Sequence, residues 1–259
     1  MNASAALAHS ITWASSKQSY LTAWLLADRD LVDDCLRAYA YFRWADDMID
    51  VILRSRAERS AFIEKQKALV AQLYRNERPE GLLPEEEMLA DLIAHARGNA
   101  GGLQSFIHNF LAVLEFDVLR SGHLVSKQEL SAYSAFLATA VMDGIQYFIG
   151  NGHPYPKTPD RTLAVIGAHR THMLRDMLED LSSGLVNIPA ESLAACRMDA
   201  LDIQSEPFHA WVHEQVDLAR HSFQEGRGYI DSLEVLRCKL EIEEHTSELQ
   251  SHLNRVCRL

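Results

Sequence analysis

Along most of this chain apolar residues recur at the three- and four-residue spacing of an amphipathic helix. Nowhere do they alternate with period two for long enough to build a sheet. From Ser19 to Leu53 the pattern is helical: Leu21, Trp24 and Leu25 share one stripe. After Asp28-Arg29-Asp30 a second helix carries Leu31, Cys35, Ala38, Tyr39, Phe42 and Ile49. A further amphipathic helix spans Ala57 to Arg75, followed by a loop from Asn76 to Pro84. Pro84 then opens a helix to about Arg97, with Glu85, Glu86 and Glu87 at the positive end of its dipole. Gly98 to Gly102 interrupts the chain, and Leu103 to Arg120 resumes as helix. Ser126 and Glu129 form a capping box for a helix from Lys127 to about Gly150. That helix is apolar nearly all round (Phe136, Leu137, Val141, Ile145, Phe148), the mark of a buried element. Asn151 to Asp160 is a proline-rich loop. Helices follow at Arg161–Leu181 (ending near Gly184), at about Glu206–Leu233, and from Glu234 onward. The expected fold class is all-α.

Composition agrees. Only 12 Gly and 7 Pro occur in 259 residues, too few for a chain of many short turns. The formal charge of −11 argues against nucleic-acid binding, which needs a basic face. The four cysteines (Cys35, Cys196, Cys238, Cys257) are widely spaced and include no CxxC pair, so neither a disulfide framework nor a zinc site is expected, and a reducing cytoplasm is the natural setting. No signal peptide or membrane-length apolar run is present, which suggests a soluble or at most peripheral protein.

Two acidic clusters change the picture. Asp46 and Asp50 are four residues apart, on one helix face, although like charges at that spacing disfavour a helix by a few tenths of a kcal/mol. They sit beside Trp44, Met48 and Ile49, with Arg43 just before them. Asp176 and Asp180 repeat the arrangement among Met173, Leu174, Met177 and Leu178, with Arg175 before them. A lone DxxxD reads as a solvated acidic face. Two of them in apolar helices read as hard oxygen ligands for Mg²⁺, which favours one or two carboxylates completed by water and phosphate oxygens. The arginines suit the same phosphates. Together they suggest a diphosphate bridged to protein by Mg²⁺.

At these residues the chain resembles the squalene and phytoene synthases. Residues 39–50, YAYFRWADDMID, are similar to the family signature YAFCRxxDDxxD; residues 171–180, THMLRDMLED, followed by 184–189, GLVNIP, are similar to LTNILRDxxED…GRxYLP. Residues 15–20, SSKQSY, resemble an early S-x-S-F/Y element, and Glu115-Phe116-Asp117 with Tyr133 resembles the middle of the fold. The similarity runs in order from about Ser15 to Cys238. It implies the class I isoprenoid-synthase bundle around an apolar cavity, faced by both Asp-rich helices. It also implies Mg²⁺-dependent head-to-head condensation of two prenyl diphosphates (farnesyl or geranylgeranyl) to a squalene-, dehydrosqualene- or phytoene-like product. Mg²⁺, with Mn²⁺ as the alternative, would lie on Asp46, Asp47, Asp50, Asp176, Glu179 and Asp180. Ser19, Tyr20, Tyr39, Arg43, Phe136, Thr171, His172 and Arg175 would contact substrate. NADPH use is left open, as is the oligomeric state, and peripheral membrane association for product release is a further expectation. Another class I terpene synthase, or a non-catalytic family member acting as a scaffold, are the competing readings; retention of all four motif aspartates speaks against the scaffold.

Several positions depart from the family pattern. His172 stands where Asn is usual, Leu185 where a basic residue is expected, and Asn187 in place of the tyrosine of GRxYLP. Phe136 replaces a second tyrosine and Thr139 a small glycine. His95, His153, His169 and His172 lack the Glu-x-x-His partners of a di-iron bundle. Residues 1–241 read as a single domain. Residues 242–259 look foreign to this fold and stand where the family's last helix should continue.

Overall fold

The protein is described by a computed structural model covering residues 2–96, 100–120, 122–197, 199 and 202–242. Among the described residues there is no strand. The helices are α1 (Ala3–Ser15), α2 (Lys17–Leu26), α3 (Val32–Asp47), α4 (Arg56–Tyr74), α5 (Pro84–Ala94), α6 (Ala100–Arg120), α7 (Lys127–Ile149), α8 (Leu163–Ser182), α9 (Ala190–Cys196) and α10 (Glu206–Ser232). The all-α expectation holds. Helix α1 was not anticipated: the positions it buries, Ala5, Ala8 and Thr12, are small, so the apolar stripe is faint although alanine favours helix strongly. Gly101 and Gly102, read as part of a break, lie in the first turn of α6. Residues 236–242 are again helical, and the foreign-looking tail beyond them lies outside the described residues.

The chain divides into two compact units, Met1–Leu119 with Asp143–Pro154, and Arg120–Met142 with Tyr155–Leu259. In the first unit α1 packs on α3 through alanines. Ala8, Ala23, Leu36, Ala40 and Met88 form a buried cluster. A polar network fastens α1: the buried Arg37 guanidinium bonds Asp34 on its own helix and the Ser4 hydroxyl, which in turn donates to Asp91 of α5. A buried pair satisfied in this way holds register, and breaking it leaves a charge stranded. Beneath the first acidic cluster, Phe42 stacks against Phe110 (4.5 Å) and edge-on to Phe106 (5.4 Å), which meets Phe148. Phe42 and Phe148 are buried within this aromatic cluster.

In the second unit α8 and α10 cross at backbone distance. A Cβ on Gly226 would lie 2.6 Å from the Ala164 nitrogen, and one on Gly167 would lie 3.1 Å from the Ala219 carbonyl oxygen. Only glycine allows that approach. It brings Ala168, Leu174 and Met177 against Phe208, Trp211, Ala219 and Phe223. This packing holds one face of α8 in the core and leaves its acidic face outward.

Candidate active site

The first acidic cluster stands at the end of α3. There the helix widens into a π-turn, Met48–Ile52, closed by Leu53 N–H donating to the Met48 carbonyl at 2.8 Å. The widening falls among β-branched Ile49, Val51 and Ile52 and three neighbouring acids, all of which weaken an α ladder. Single π-turns recur at functional sites. Asp46 therefore lies on regular helix and Asp50 on the widened turn, a refinement of the simple stacked pair the sequence suggests. Arg43 grips Asp47 with two hydrogen bonds and approaches Asp46 at 3.6 Å. The Asp46 carboxyl is held above its usual range, first by burial and then by the charges of Asp50 and Asp47, with Arg43 opposing.

The second cluster lies within the last turns of α8. Arg175 forms a bidentate pair with its neighbour Asp176, at 2.6 and 2.7 Å. Gly184, with φ of +78°, ends the helix in a Schellman arrangement. Leu185 N–H donates to the Asp180 carbonyl and Gly184 N–H to that of Leu181. The reversal returns Asn187 beneath the helix end, where its Nδ2 donates to Asp180 Oδ2 at 2.6 Å. Its Oδ1 accepts from Arg120 Nη1 at 2.5 Å, and the Arg120 guanidinium lies over the Tyr133 ring. Burial raises the Asp180 carboxyl and Asp176 adds to the shift, while Arg120 and the Asn187 bond oppose it. Asn187 was legible as a departure from the family pattern but not as a partner of the motif. Arg120 was legible only as the last residue of a helix. The nearby His169 is buried against Tyr133 (5.0 Å), and burial, with the positive neighbours, pulls its imidazole down to about 4.

The other expected contacts are spread more widely. Ser19 Oγ accepts from Ser16, the N-cap of α2, and the Tyr20 hydroxyl pairs with His9 Nδ1 at 3.0 Å, whose Nε2 meets Asp33. Tyr39 is half-buried and Phe136 is 40% exposed. Thr171 is fully buried with its hydroxyl bonded to the Gly167 carbonyl, on the opposite side of α8 from the acids. His172 is half-buried one turn before Asp176, and Glu179 is exposed beside Asp180.

Both clusters pass a physical test for a divalent cation. In each, a partly buried carboxyl is pushed upward by its i, i+4 partner, a repulsion that a shared Mg²⁺ relieves. Among the described residues no group of three or more His, Cys, Asp or Glu side chains closes into a cage. Two-carboxylate pairs fit Mg²⁺, which keeps water and takes phosphate oxygens for its remaining positions.

A family-wide sequence profile, squalene/phytoene synthase, matches residues 13–256. The chain belongs to the squalene/phytoene synthase family. Its members are prenyl transferases, so the chain is an enzyme of the head-to-head type acting on prenyl diphosphates. Among solved structures, the fold matches squalene synthase HpnC from Alicyclobacillus acidocaldarius with a TM-score of 0.75 at 16% identity, over 98% of this chain and 93% of that one. It also matches a dehydrosqualene synthase in complex with ligand, with a TM-score of 0.72 at 16% identity, over 98% of this chain and 86% of that one. No curated protein matches the sequence significantly. No helix among the described residues is long and apolar enough to cross a membrane.

Proposed function

We propose that this prenyl transferase condenses two farnesyl or two geranylgeranyl diphosphates, with Mg²⁺ held by Asp46 and Asp50 in the first unit and by Asp176 and Asp180 in the second. The observation that carries this reading is the matched pair of carboxyls, Asp46 and Asp180, each raised by burial and by a neighbouring acid. Bound there, Mg²⁺ supplies charge for the departing diphosphate. Asp47 and Asp176 hold Arg43 and Arg175 beside the motifs, ready to exchange a carboxylate for a phosphate oxygen through the same two-pronged contact. Asn187, itself held by Arg120, fixes one oxygen of the Asp180 carboxylate. His169, kept neutral, adds no competing positive charge beneath the site. Loss of diphosphate from one substrate leaves an allylic cation. The double bond of the second chain attacks it, and loss of a proton closes a cyclopropyl intermediate that still carries the second diphosphate. Departure of that diphosphate, rearrangement of the resulting cation and loss of a second proton give a dehydrosqualene- or phytoene-like hydrocarbon.

The deciding experiment incubates the protein with each diphosphate, with and without Mg²⁺, and analyses the lipid extract. A Mg²⁺-dependent hydrocarbon of twice the donor length is the expected result. A product of head-to-tail chain elongation, or turnover unaffected by chelation, would refute the proposal.

A further inference from the structure

The second unit contains a cavity of about 340 Å³ bordered by the first half of α7, by α8, by the chain entering α9, and by α10. Within α8 it uses the row Ile166, Arg170, Met173 and Met177, whereas His172, Asp176 and Asp180 occupy the neighbouring row. Met173, Met177, Leu218 and the Trp211 ring supply apolar wall, and Ser131, Ser134 and Gln215 add polar groups beside them. One donor in this lining is underused. Arg170 is half-buried and makes no hydrogen bond within the described residues. Burial lowers its pKa, with the charge of Glu214 opposing. The ring of Trp211, a residue only 5% exposed, forms part of the wall. A half-buried guanidinium without a hydrogen-bond partner gains from a ligand oxygen. Of the charged lining groups, Arg170 and the exposed Lys127 are positive and Glu214 negative, an excess of one positive charge. The volume lies within the range of small-molecule sites.

We propose that this cavity binds an amphipathic monocarboxylate, its carboxylate on the Arg170 guanidinium and its alkyl chain along Met173, Met177, Leu218 and the Trp211 ring. The site is separate from the diphosphate reading, and its test requires no turnover. One side chain joins the two. Asn187 borders the cavity and donates to Asp180, so an occupant reaches the second acidic cluster through a single hydrogen bond.

The full chain is titrated with dodecanoate by calorimetry and with a bromine-labelled dodecanoate by tryptophan fluorescence. Saturable binding to one site is expected, with quenching that Trp211→Phe removes while the other three tryptophans remain. Arg170→Gln should weaken binding about tenfold, a charge-assisted contact being worth at least about 1.4 kcal/mol. Arg170→Lys should recover part of the loss, and dodecanol should bind about tenfold more weakly than dodecanoate. Met173→Trp fills the cavity without touching a charge and should abolish binding; it decides the matter if Arg170→Gln fails to fold by circular dichroism. Absence of saturable binding, equal affinity for the alcohol, or a folded Met173→Trp protein that binds normally would each overturn the proposal.

Discussion

The two acidic clusters share a sequence pattern, Arg and then Asp-x-x-x-Asp, yet are supported in different ways. The first ends its helix: the α ladder opens into a π-turn at Met48–Ile52, and Arg43 on the same helix grips Asp47. The second is braced from outside its helix. A glycine-terminated reversal brings Asn187 onto Asp180, and Arg120, the last residue of α6, completes the chain of contacts. Arg43 and Asp47 are four positions apart, whereas the contacts of the second cluster reach Arg120, 60 positions from Asp180. The contrast implies that the first tunes its charge locally, while the second is sensitive to the packing of α8.

Neutralising one acid from each cluster tests whether both serve the same chemistry. Asp50→Asn and Asp176→Asn are each expected to lower kcat/KM by about 10³-fold, roughly 4 kcal/mol of lost electrostatic stabilisation at the leaving group. If only one variant lost activity, the clusters would have unequal roles and the symmetric reading of the motifs would be wrong.

Acid titration separates them next. His169 lies in the helix of the second cluster and is held at about 4 against 6.5 in an unfolded chain. As pH falls, the unfolded state takes up that proton first. Stability from the neutral imidazole is therefore complete above about pH 6.5 and fades toward pH 4, a loss of about 3 kcal/mol. Urea denaturation across this range should show the decline, and His169→Gln should flatten it. A decline of equal size in the variant would place the acid sensitivity elsewhere.

The bracing of α8 can be disturbed without touching a charge. Gly226→Ala sets a methyl group against the Ala164 backbone, which cannot yield as a side-chain tip would, and should destabilise by about 2 kcal/mol on denaturation. Asn187→Ala removes a buried bond to a carboxylate and should cost about 1.5 kcal/mol. Arg43→Gln should cost less stability than Asn187→Ala, because Arg43 is exposed and its pair is screened.

How much of this was legible beforehand follows the same local-versus-distant division. The helices with strong apolar stripes, α3 to α8 and α10, were visible because burial writes a 3.6-residue period into the chain. Helix α1 was not, since alanines bury little surface and leave a weak period. The aspartates and arginines of both clusters stood out because their charges interrupt apolar helices. The Asn187–Asp180 bond and the role of Arg120 did not. Gly184 marks a helix end in any sequence, but where the reversed chain lands depends on packing. Nothing in the spacing from 120 to 187 announces a contact. Thr171 adjoins a motif in sequence, yet it lies on the opposite face of α8 from the acids, with its hydroxyl on the Gly167 carbonyl.

The smallest expected effect bears most directly on why the first cluster is built as it is. The Asp46 carboxyl is raised in the folded protein, so between the ordinary carboxylate range and that higher value the folded state holds a proton the unfolded state has lost. Its effect on stability is thus most favourable at low pH and turns unfavourable as pH rises through the folded value. At neutral pH the charged pair strains the fold. Asp46→Asn should therefore raise Tm slightly at pH 7, by a degree or two on the usual scale of surface-charge effects, while turnover is lost. Mg²⁺ should raise Tm of the native protein and do less for the variant, because the cation relieves the same repulsion that the amide has already removed. A variant less stable than the native protein at pH 7, with its response to Mg²⁺ intact, would mean that Asp46 serves the fold and not the metal. The first cluster would then differ from the second in function as well as in support.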